Sequence, residues 1–217
     1  DSHKPTTQQI LFWQAKNALR RGDYRSFARN SAKLQDYPLY PYLIYWQLQQ
    51  RLSQQMPLTI EAFLQRYPDT LMATRLRSSW LELLARQGRW QEYLDFYVPS
   101  DDVALRCNYH YAQHKTGNNR DAWQGAKAHW LVGYSQDEAC DPLFAAWEKA
   151  GGITRKLRWQ RLGLMLESGN NELTRYVAAP LSHKDKQLLK LWRRAYYMPK
   201  LLRSKKLQDD NPLNRRV

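Results

Sequence analysis

Residues 107–144, with the sequence CNYHYAQHKTGNNRDAWQGAKAHWLVGYSQDEACDPLF, contain the pattern that decides the fold. Cys107 and Cys140 are the only two cysteines of the chain. Between them lie two runs with helical spacing, joined by Gly117-Asn118-Asn119, which predicts an antiparallel helix pair with the cysteines at its outer ends. A bridge between them would close a loop of about 34 residues and would stabilise the fold by about 3–4 kcal/mol. Two free thiols are equally compatible with a count of two.

Helical spacing of apolar residues continues over most of the chain. In the first predicted helix, Ile10, Leu11, Trp13 and Ala18 lie on or near one side, which predicts that they face the core. Thr59 is predicted to be the N-cap of a helix that begins at Ile60. The predicted helices outside the cysteine hairpin cover residues 8–20, 24–34, 42–52, 60–67, 71–86, 90–97, 144–149, 155–167, 172–178 and 184–202.

Four glycines follow directly after predicted helices: Gly22, Gly88, Gly117 and Gly169. Glycine there adopts a left-handed backbone without steric cost and ends the helix. Their spacings of 66, 29 and 52 residues show no strict period. No alternation typical of β-strands occurs. The sequence therefore predicts an all-α fold, an irregular α-solenoid of stacked helical hairpins that is similar to tetratricopeptide repeats.

Two blocks of sequence resemble the N-terminal superhelical, U-shaped region of the large soluble lytic murein transglycosylases of the bacterial periplasm. The resemblance covers about residues 8–170. The matching residues are Asp36-Tyr37-Pro38-Leu39-Tyr40-Pro41-Tyr42-Leu43, Cys107-Asn108-Tyr109, Tyr111-Ala112, Thr116-Gly117, Ala122-Trp123-Gln124-Gly125-Ala126-Lys127 and Ala139-Cys140-Asp141.

The resemblance implies a right-handed superhelix, a disulfide between Cys107 and Cys140, and a periplasmic location with the signal peptide already removed. It also implies a parent enzyme that cleaves the β-1,4 bond between N-acetylmuramic acid and N-acetylglucosamine to give 1,6-anhydromuramoyl products. The family's catalytic domain would lie several hundred residues downstream. This chain alone is therefore expected to have no catalytic residue, no metal and no cofactor.

Charge divides the sequence into two segments. Residues 1–154 contain 18 Lys or Arg against 15 Asp or Glu, whereas residues 155–217 contain 16 against 5. We therefore predict an N-terminal superhelical segment with the disulfide hairpin (1–154) and a basic, truncated continuation of the same solenoid (155–217). The candidate basic surface comprises Arg193, Arg194, Lys205 and Lys206. A basic surface attracts acidic polymers, such as peptidoglycan with its stem-peptide carboxylates, and a solvated helix face is the equally weighted alternative.

Tyr37, Tyr40 and Tyr42, with the nearby Tyr45, are weak candidates for stacking on sugar rings. Packing between helices is the favoured interpretation of these tyrosines, because they spread around a helix instead of forming one stripe.

Candidates for catalysis and metal binding have weak support. Glu167-Ser168 is similar to the Glu-Ser element of lytic transglycosylases. In that family a Gly-Leu-Met element follows the Glu-Ser, whereas in this chain Gly-Leu-Met precedes the Glu-Ser. His110 and His114 have the spacing of a helical zinc pair but lack the Glu of His-Glu-x-x-His, so surface or interhelical packing is favoured.

Three functions stay open at this point. The first is a non-catalytic segment of a soluble lytic transglycosylase, with peptidoglycan strands as the partner of the parent enzyme. The second is a free-standing periplasmic binding or assembly module for cell-wall synthesis or remodelling proteins. The third and least favoured is a basic helical protein that binds nucleic acid. No stretch approaches 18 consecutive apolar residues, so no membrane span is predicted.

Overall fold

The computed structural model describes residues 4–198, and these residues form helices without any β-strand. This confirms the predicted all-α fold. Short 3₁₀ turns occupy Ala32–Leu34, Leu52–Gln54 and Glu138–Cys140. The α-helices within the described residues are α1 (Thr7–Arg20), α2 (Tyr24–Ser31), α3 (Tyr40–Gln50), α4 (Pro57–Arg66), α5 (Leu71–Arg86), α6 (Trp90–Phe96), α7 (Val103–Lys115), α8 (Asn119–Trp130), α9 (Asp141–Lys149), α10 (Arg155–Ser168), α11 (Asn171–Ala178) and α12 (His183–Tyr197).

The chain divides into two compact units, Asp1–Arg89 and Trp90–Val217. The predicted division after residue 154 follows charge, whereas the compact units follow packing, and the two boundaries do not coincide. Trp147 and Trp159, on either side of residue 154, belong to one buried cluster. Residues 155–198 therefore pack together with the cysteine hairpin.

In the first unit, α1 buries Ala15, Ala18 and Leu19 against α2 and the segments that follow it. Trp13 is 68% exposed, so the prediction that it faces the core is wrong. At 100° per residue the three buried positions cluster on one side of the helix, and Trp13 lies on the other. Ile10 is also exposed, for the same reason.

Glycine-terminated helix ends connect the hairpins. At the first, Gly22 has φ 75°, its N–H donates to the Leu19 carbonyl at 3.0 Å, and the Asp23 N–H donates to the Ala18 carbonyl at 2.9 Å. This pair of bonds satisfies carbonyls that the helix end leaves free. The left-handed conformation predicted for the turn glycines occurs in all four. The glycines with this backbone are Gly22, Gly88, Gly117, Gly151 and Gly169.

The residue after three of these glycines is the N-cap of the next helix. Asp23 accepts a hydrogen bond from the Ser26 N–H at 3.1 Å and so caps α2. Asn118 caps α8 and Asn170 caps α11 in the same manner. One residue thus completes the end of one helix and starts its antiparallel neighbour. These Gly-Asp and Gly-Asn pairs make the tight hairpins of the solenoid.

Helix α4 begins earlier than predicted. Pro57 occupies its first turn and Met56 is the N-cap residue, so Thr59 lies inside the helix and the N-cap prediction is wrong. Proline is favourable at this position because its fixed φ suits a helix and its missing N–H leaves no donor unsatisfied.

The core of the second unit surrounds the disulfide between Cys107 and Cys140, whose Cα atoms are 4.9 Å apart and whose side chains are fully buried. The disulfide implied by the resemblance is therefore confirmed. Cys107 lies in α7, but Cys140 ends the 3₁₀ turn before α9, so the cysteines do not both terminate one hairpin. The chain leaves α8 at Trp130 and crosses an irregular segment before that turn. The bridge therefore joins α7 to the start of α9.

Two arginines of α10 are buried in this core. Arg158 donates to the Glu148 carboxylate at 2.8 Å and to the Val177 carbonyl at 3.1 Å. Arg161 lies over the Trp130 ring at 4.8 Å, and burial lowers its pKa to about 10. Both cations therefore hold α10 against its neighbours. No helix among residues 4–198 is long and apolar enough to cross a membrane.

Candidate functional site

The described part of the predicted basic surface lies on α12. Lys186, Lys190 and Arg194 recur at intervals of four residues and are exposed, so they form one row along the helix. The row extends over about 12 Å at the usual helical rise. Arg193 lies beside it and donates to the Asn171 side-chain oxygen at 2.6 Å. We call these four residues the α12 basic row.

The single acidic residue of α12, Asp185, does not neutralise this row. Its carboxylate accepts two hydrogen bonds from the Arg155 guanidinium, at 2.7 and 2.8 Å. These bonds lower the pKa of Asp185 and raise the pKa of Arg155. Asp185 is buried, with its side chain 9% exposed, and so faces α10 instead of solvent. The ion pair therefore fixes α12 on α10. Because Asp185 is engaged by Arg155, no carboxylate of α12 pairs with the basic row.

Lys205 and Lys206, also predicted for the basic surface, lie outside the described residues. A role for the basic surface stays a prediction.

The structure separates the three candidate tyrosines by burial. Tyr37 and Tyr40 are half-buried and pack against the core of the first unit. The Tyr37 ring lies 5.6 Å from that of Phe12. Burial raises the pKa of Tyr40, and nearby Tyr67 adds to this effect. Both tyrosines thus contribute to packing between helices, and glycan stacking at either of them stays a prediction.

Tyr42 is more accessible, with 41% of its surface exposed. Its ring centroid lies 5.9 Å from that of Trp46. The Trp46 ring centroid also lies 6.0 Å from that of Phe12 and 5.1 Å from the Lys16 ammonium nitrogen. Glycan stacking at Tyr42 stays a prediction.

Two histidines of the cysteine hairpin, His110 and His114, contact side-chain amides. His110 lies 2.8 Å from the Gln113 side-chain oxygen, and His114 lies 2.6 Å from that of Asn119. Burial lowers the pKa of His110, whose ring also faces His129. Within residues 4–198, no group of three or more His, Cys, Asp or Glu side chains has a geometry that would hold a metal ion.

Sequence and structure comparisons give one consistent result. The chain is 38% identical over 149 residues to the soluble lytic murein transglycosylase of Escherichia coli K12, and 36% identical to that of Salmonella typhimurium. The chain is homologous to the soluble lytic murein transglycosylases. The match covers 68% of this chain and 23% of the length of each of these relatives. No family model matches the chain.

Solved transglycosylase structures match almost the whole chain. The 70-kDa soluble lytic transglycosylase of E. coli superposes with a TM-score of 0.79 at 29% identity, over 96% of this chain and 34% of that one. An inactive mutant of the Pseudomonas aeruginosa lytic transglycosylase superposes with a TM-score of 0.80 at 30% identity. This match covers 98% of this chain and 34% of the Pseudomonas chain. This chain thus spans about a third of the solved transglycosylase chains that it matches.

Glu167, the residue that echoes a transglycosylase Glu-Ser, lies exposed in the last turn of α10. The neighbouring Ser168 hydroxyl donates to the Met165 carbonyl at 2.9 Å, within the same helix. The same hydroxyl lies 2.5 Å from the Gly133 carbonyl, so it also joins the end of α10 to the segment after α8.

Sequence reasoning missed a groove between α1 and α2. Its volume is about 310 Å³, and exposed Trp13 forms part of its wall. The groove is also lined by Gln14, Asn17, Arg21, Ser26 and Asn30. Sequence gave no signal for this groove, because its polar residues follow no motif and Trp13 suits a core position equally well.

Proposed function

We propose that this chain is a non-catalytic superhelical segment of a soluble lytic transglycosylase that acts on peptidoglycan. The observation that carries the proposal is the superposition on solved lytic transglycosylases over 96–98% of the chain. Identity of 38% over 149 residues to the E. coli enzyme supports it independently. The parent enzyme would cleave the bond between N-acetylmuramic acid and N-acetylglucosamine and leave a 1,6-anhydromuramoyl end.

Under this proposal, the catalytic Glu belongs to a domain outside this chain. Glu167 lies exposed in the last turn of α10. The segment would instead form part of the frame that admits and orients a glycan strand.

The disulfide supports a periplasmic location. Disulfides persist in oxidising compartments such as the bacterial periplasm and are rare in the cytosol. The buried Cys107–Cys140 bridge therefore argues for export, and with it against the nucleic-acid alternative.

The α12 basic row suits peptidoglycan as a partner. Stem peptides carry free carboxylates, and a row of cations attracts such a polymer over about a Debye length. The attraction would be weak and dependent on salt, which suits a surface that guides a strand without trapping it.

Incubation of the chain with purified sacculi tests the proposal. The chain should sediment with sacculi at low salt and should release no anhydromuropeptides into the supernatant. Absence of sedimentation at low salt would overturn the contact with peptidoglycan. Release of anhydromuropeptides by this chain would overturn its non-catalytic role.

The alternative proposal is a binding or assembly module for cell-wall synthesis or remodelling proteins. Under this alternative, exposed apolar side chains such as Met56, Leu58 and Leu71 would form part of the contact surface. Copurification of a cell-wall protein with wild type, and its loss with Leu58→Glu, would support this alternative over the first proposal.

A further inference from the structure

The groove between α1 and α2 combines an exposed aromatic wall with polar side chains. Trp13 lies on the side of α1 opposite the core and is 68% exposed. Ala18, which is buried, lies at the base of the groove and leaves room there because its side chain is small. The volume of about 310 Å³ is at the lower end of the range for ligand pockets.

An exposed tryptophan in this position is costly without a partner. A large ring left in water gives up the free energy that burial would provide. Among the described residues no ring pairs with that of Trp13, whereas the ring of the adjacent Phe12 lies 6.0 Å from the Trp46 ring of α3. Its faces are therefore available to a flat apolar surface from outside.

The polar residues of the groove offer both donors and acceptors. The amides of Gln14, Asn17 and Asn30 make no side-chain hydrogen bond with any other described residue. An amide presents an N–H donor and an oxygen acceptor together. Ser26 adds a hydroxyl to the wall, but this hydroxyl already accepts from Arg29 at 3.3 Å and hydrogen-bonds the Asp23 carboxylate, so the amides are the open polar groups of the groove.

Arg21 places a guanidinium at the end of α1, on the rim of the groove. Hydrogen bonds from Ser26 are the main reason that the pKa of Asp23 is lowered, and the nearby Arg21 charge lowers it further. A planar guanidinium binds a carboxylate through two parallel hydrogen bonds. The groove thus combines the Trp13 ring and the side-chain amides with one cationic side chain.

We propose that this groove binds an N-acetylated amino sugar of a glycan strand, with the pyranose ring stacked on Trp13. The C–H groups of a pyranose face match the electron-rich face of an indole. An acetamido group and ring hydroxyls need donors and acceptors at short range, which Gln14, Asn17 and Asn30 supply. Arg21 would contact a carboxylate borne by the sugar or its peptide. The inference rests on the proposed function, and it assigns a glycan contact to the first unit that is separate from the α12 basic row.

Binding of a soluble probe tests the groove. The probe is the uncharged N-acetylglucosamine tetramer, titrated into the full chain and followed by isothermal calorimetry. Trp13→Ala should weaken binding at least about fivefold, and Trp13→Phe should keep it within about threefold of wild type. Tyr176→Ala is the matched control, because Tyr176 is 79% exposed, lies in the other unit and should leave the affinity unchanged.

The outcomes separate this inference from the proposed function. If wild type sediments with sacculi but Trp13→Ala binds the tetramer as tightly as wild type does, the groove proposal is overturned and the proposed function stands. The same holds if wild type sediments but binds no tetramer. If wild type neither sediments nor binds the tetramer, both fail. Loss of affinity for a short single-stranded oligonucleotide in Trp13→Ala, without loss for the tetramer, would also overturn the glycan assignment.

Discussion

Cys107 and Cys140 connect α7 to the turn before α9 within the buried core of the second unit. Their separation of 33 residues makes the closed loop long enough to restrict the unfolded chain strongly. The paired replacement Cys107→Ala and Cys140→Ala should lower the free energy of unfolding by about 3–4 kcal/mol. Urea denaturation followed by circular dichroism measures this difference. Equal stability of the variant and the wild type would contradict a structural role for the bridge.

Gly125 permits the close approach of α7 and α8. A methyl group added there would lie 2.3 Å from the nearest atoms of the His110 ring, far inside contact distance. Gly125→Ala should therefore destabilise the protein by about 1–3 kcal/mol through overpacking, in spite of the better helix propensity of alanine.

The control for this prediction is Gln124→Ala on the same helix, at an exposed position, which should change stability by less than about 0.5 kcal/mol. Thermal unfolding of both variants makes the comparison. A Gly125→Ala protein as stable as wild type would show that the two helices have room to move apart.

Individual residues mark the limit of prediction from sequence. The glycine turns were predictable because a left-handed helix end has a strong local preference, and the disulfide because the residues around it resemble a known family. The position of Trp13 was not predictable. Helix α1 carries apolar residues on two sides, and local spacing does not show which side packs against α2. Pro57 and Thr59 are both acceptable helix starts, and only the packed structure selects between them.

At the scale of elements, the ion pair between Arg155 and Asp185 fixes the start of α12 on the start of α10. Because the Arg155 hydrogen bonds lower the pKa of Asp185 in the folded protein, the unfolded state binds more protons at acid pH. The pair therefore stabilises the fold above the ordinary carboxyl value of 3.8, and this contribution disappears as the pH falls through the lower folded-state value.

Asp185→Asn should accordingly be less stable than wild type at pH 7, and the difference should shrink below pH 3.8. Urea midpoints across pH measure this effect. Asp36→Asn, an exposed position in the other unit, is the control and should show no such dependence. A difference that persists unchanged at low pH would mean that packing, and not charge, holds α12.

Prediction of whole elements from sequence was most accurate where periodicity was long, as in α5 and α10, whose predicted bounds differ from those observed by no more than one residue. The 3₁₀ turn that carries Cys140 was not predictable, because three residues provide no periodicity. The hairpin topology therefore followed from sequence, but the exact elements joined by the bridge did not.

At the scale of the whole molecule, charge is segregated, with 16 Lys or Arg against 5 Asp or Glu after residue 154. If the α12 basic row contacts peptidoglycan, Lys190→Glu combined with Arg194→Glu should weaken sedimentation with sacculi at low salt severalfold.

The matched control is Arg25→Glu with Lys33→Glu, which makes the same change of net charge at exposed positions of the first unit. It should weaken sedimentation less. Equal losses in both variants would mean that net charge, and not the α12 basic row, attracts the chain to the cell wall.

We propose that this chain is a non-catalytic segment of a larger lytic transglycosylase. The size of the native polypeptide tests it most directly, by immunoblot of a periplasmic extract with an antibody raised against this chain. We expect a band far larger than 25.9 kDa, since the chain covers 23% of the E. coli relative. A periplasmic band near 25.9 kDa would contradict it and favour a free-standing binding module.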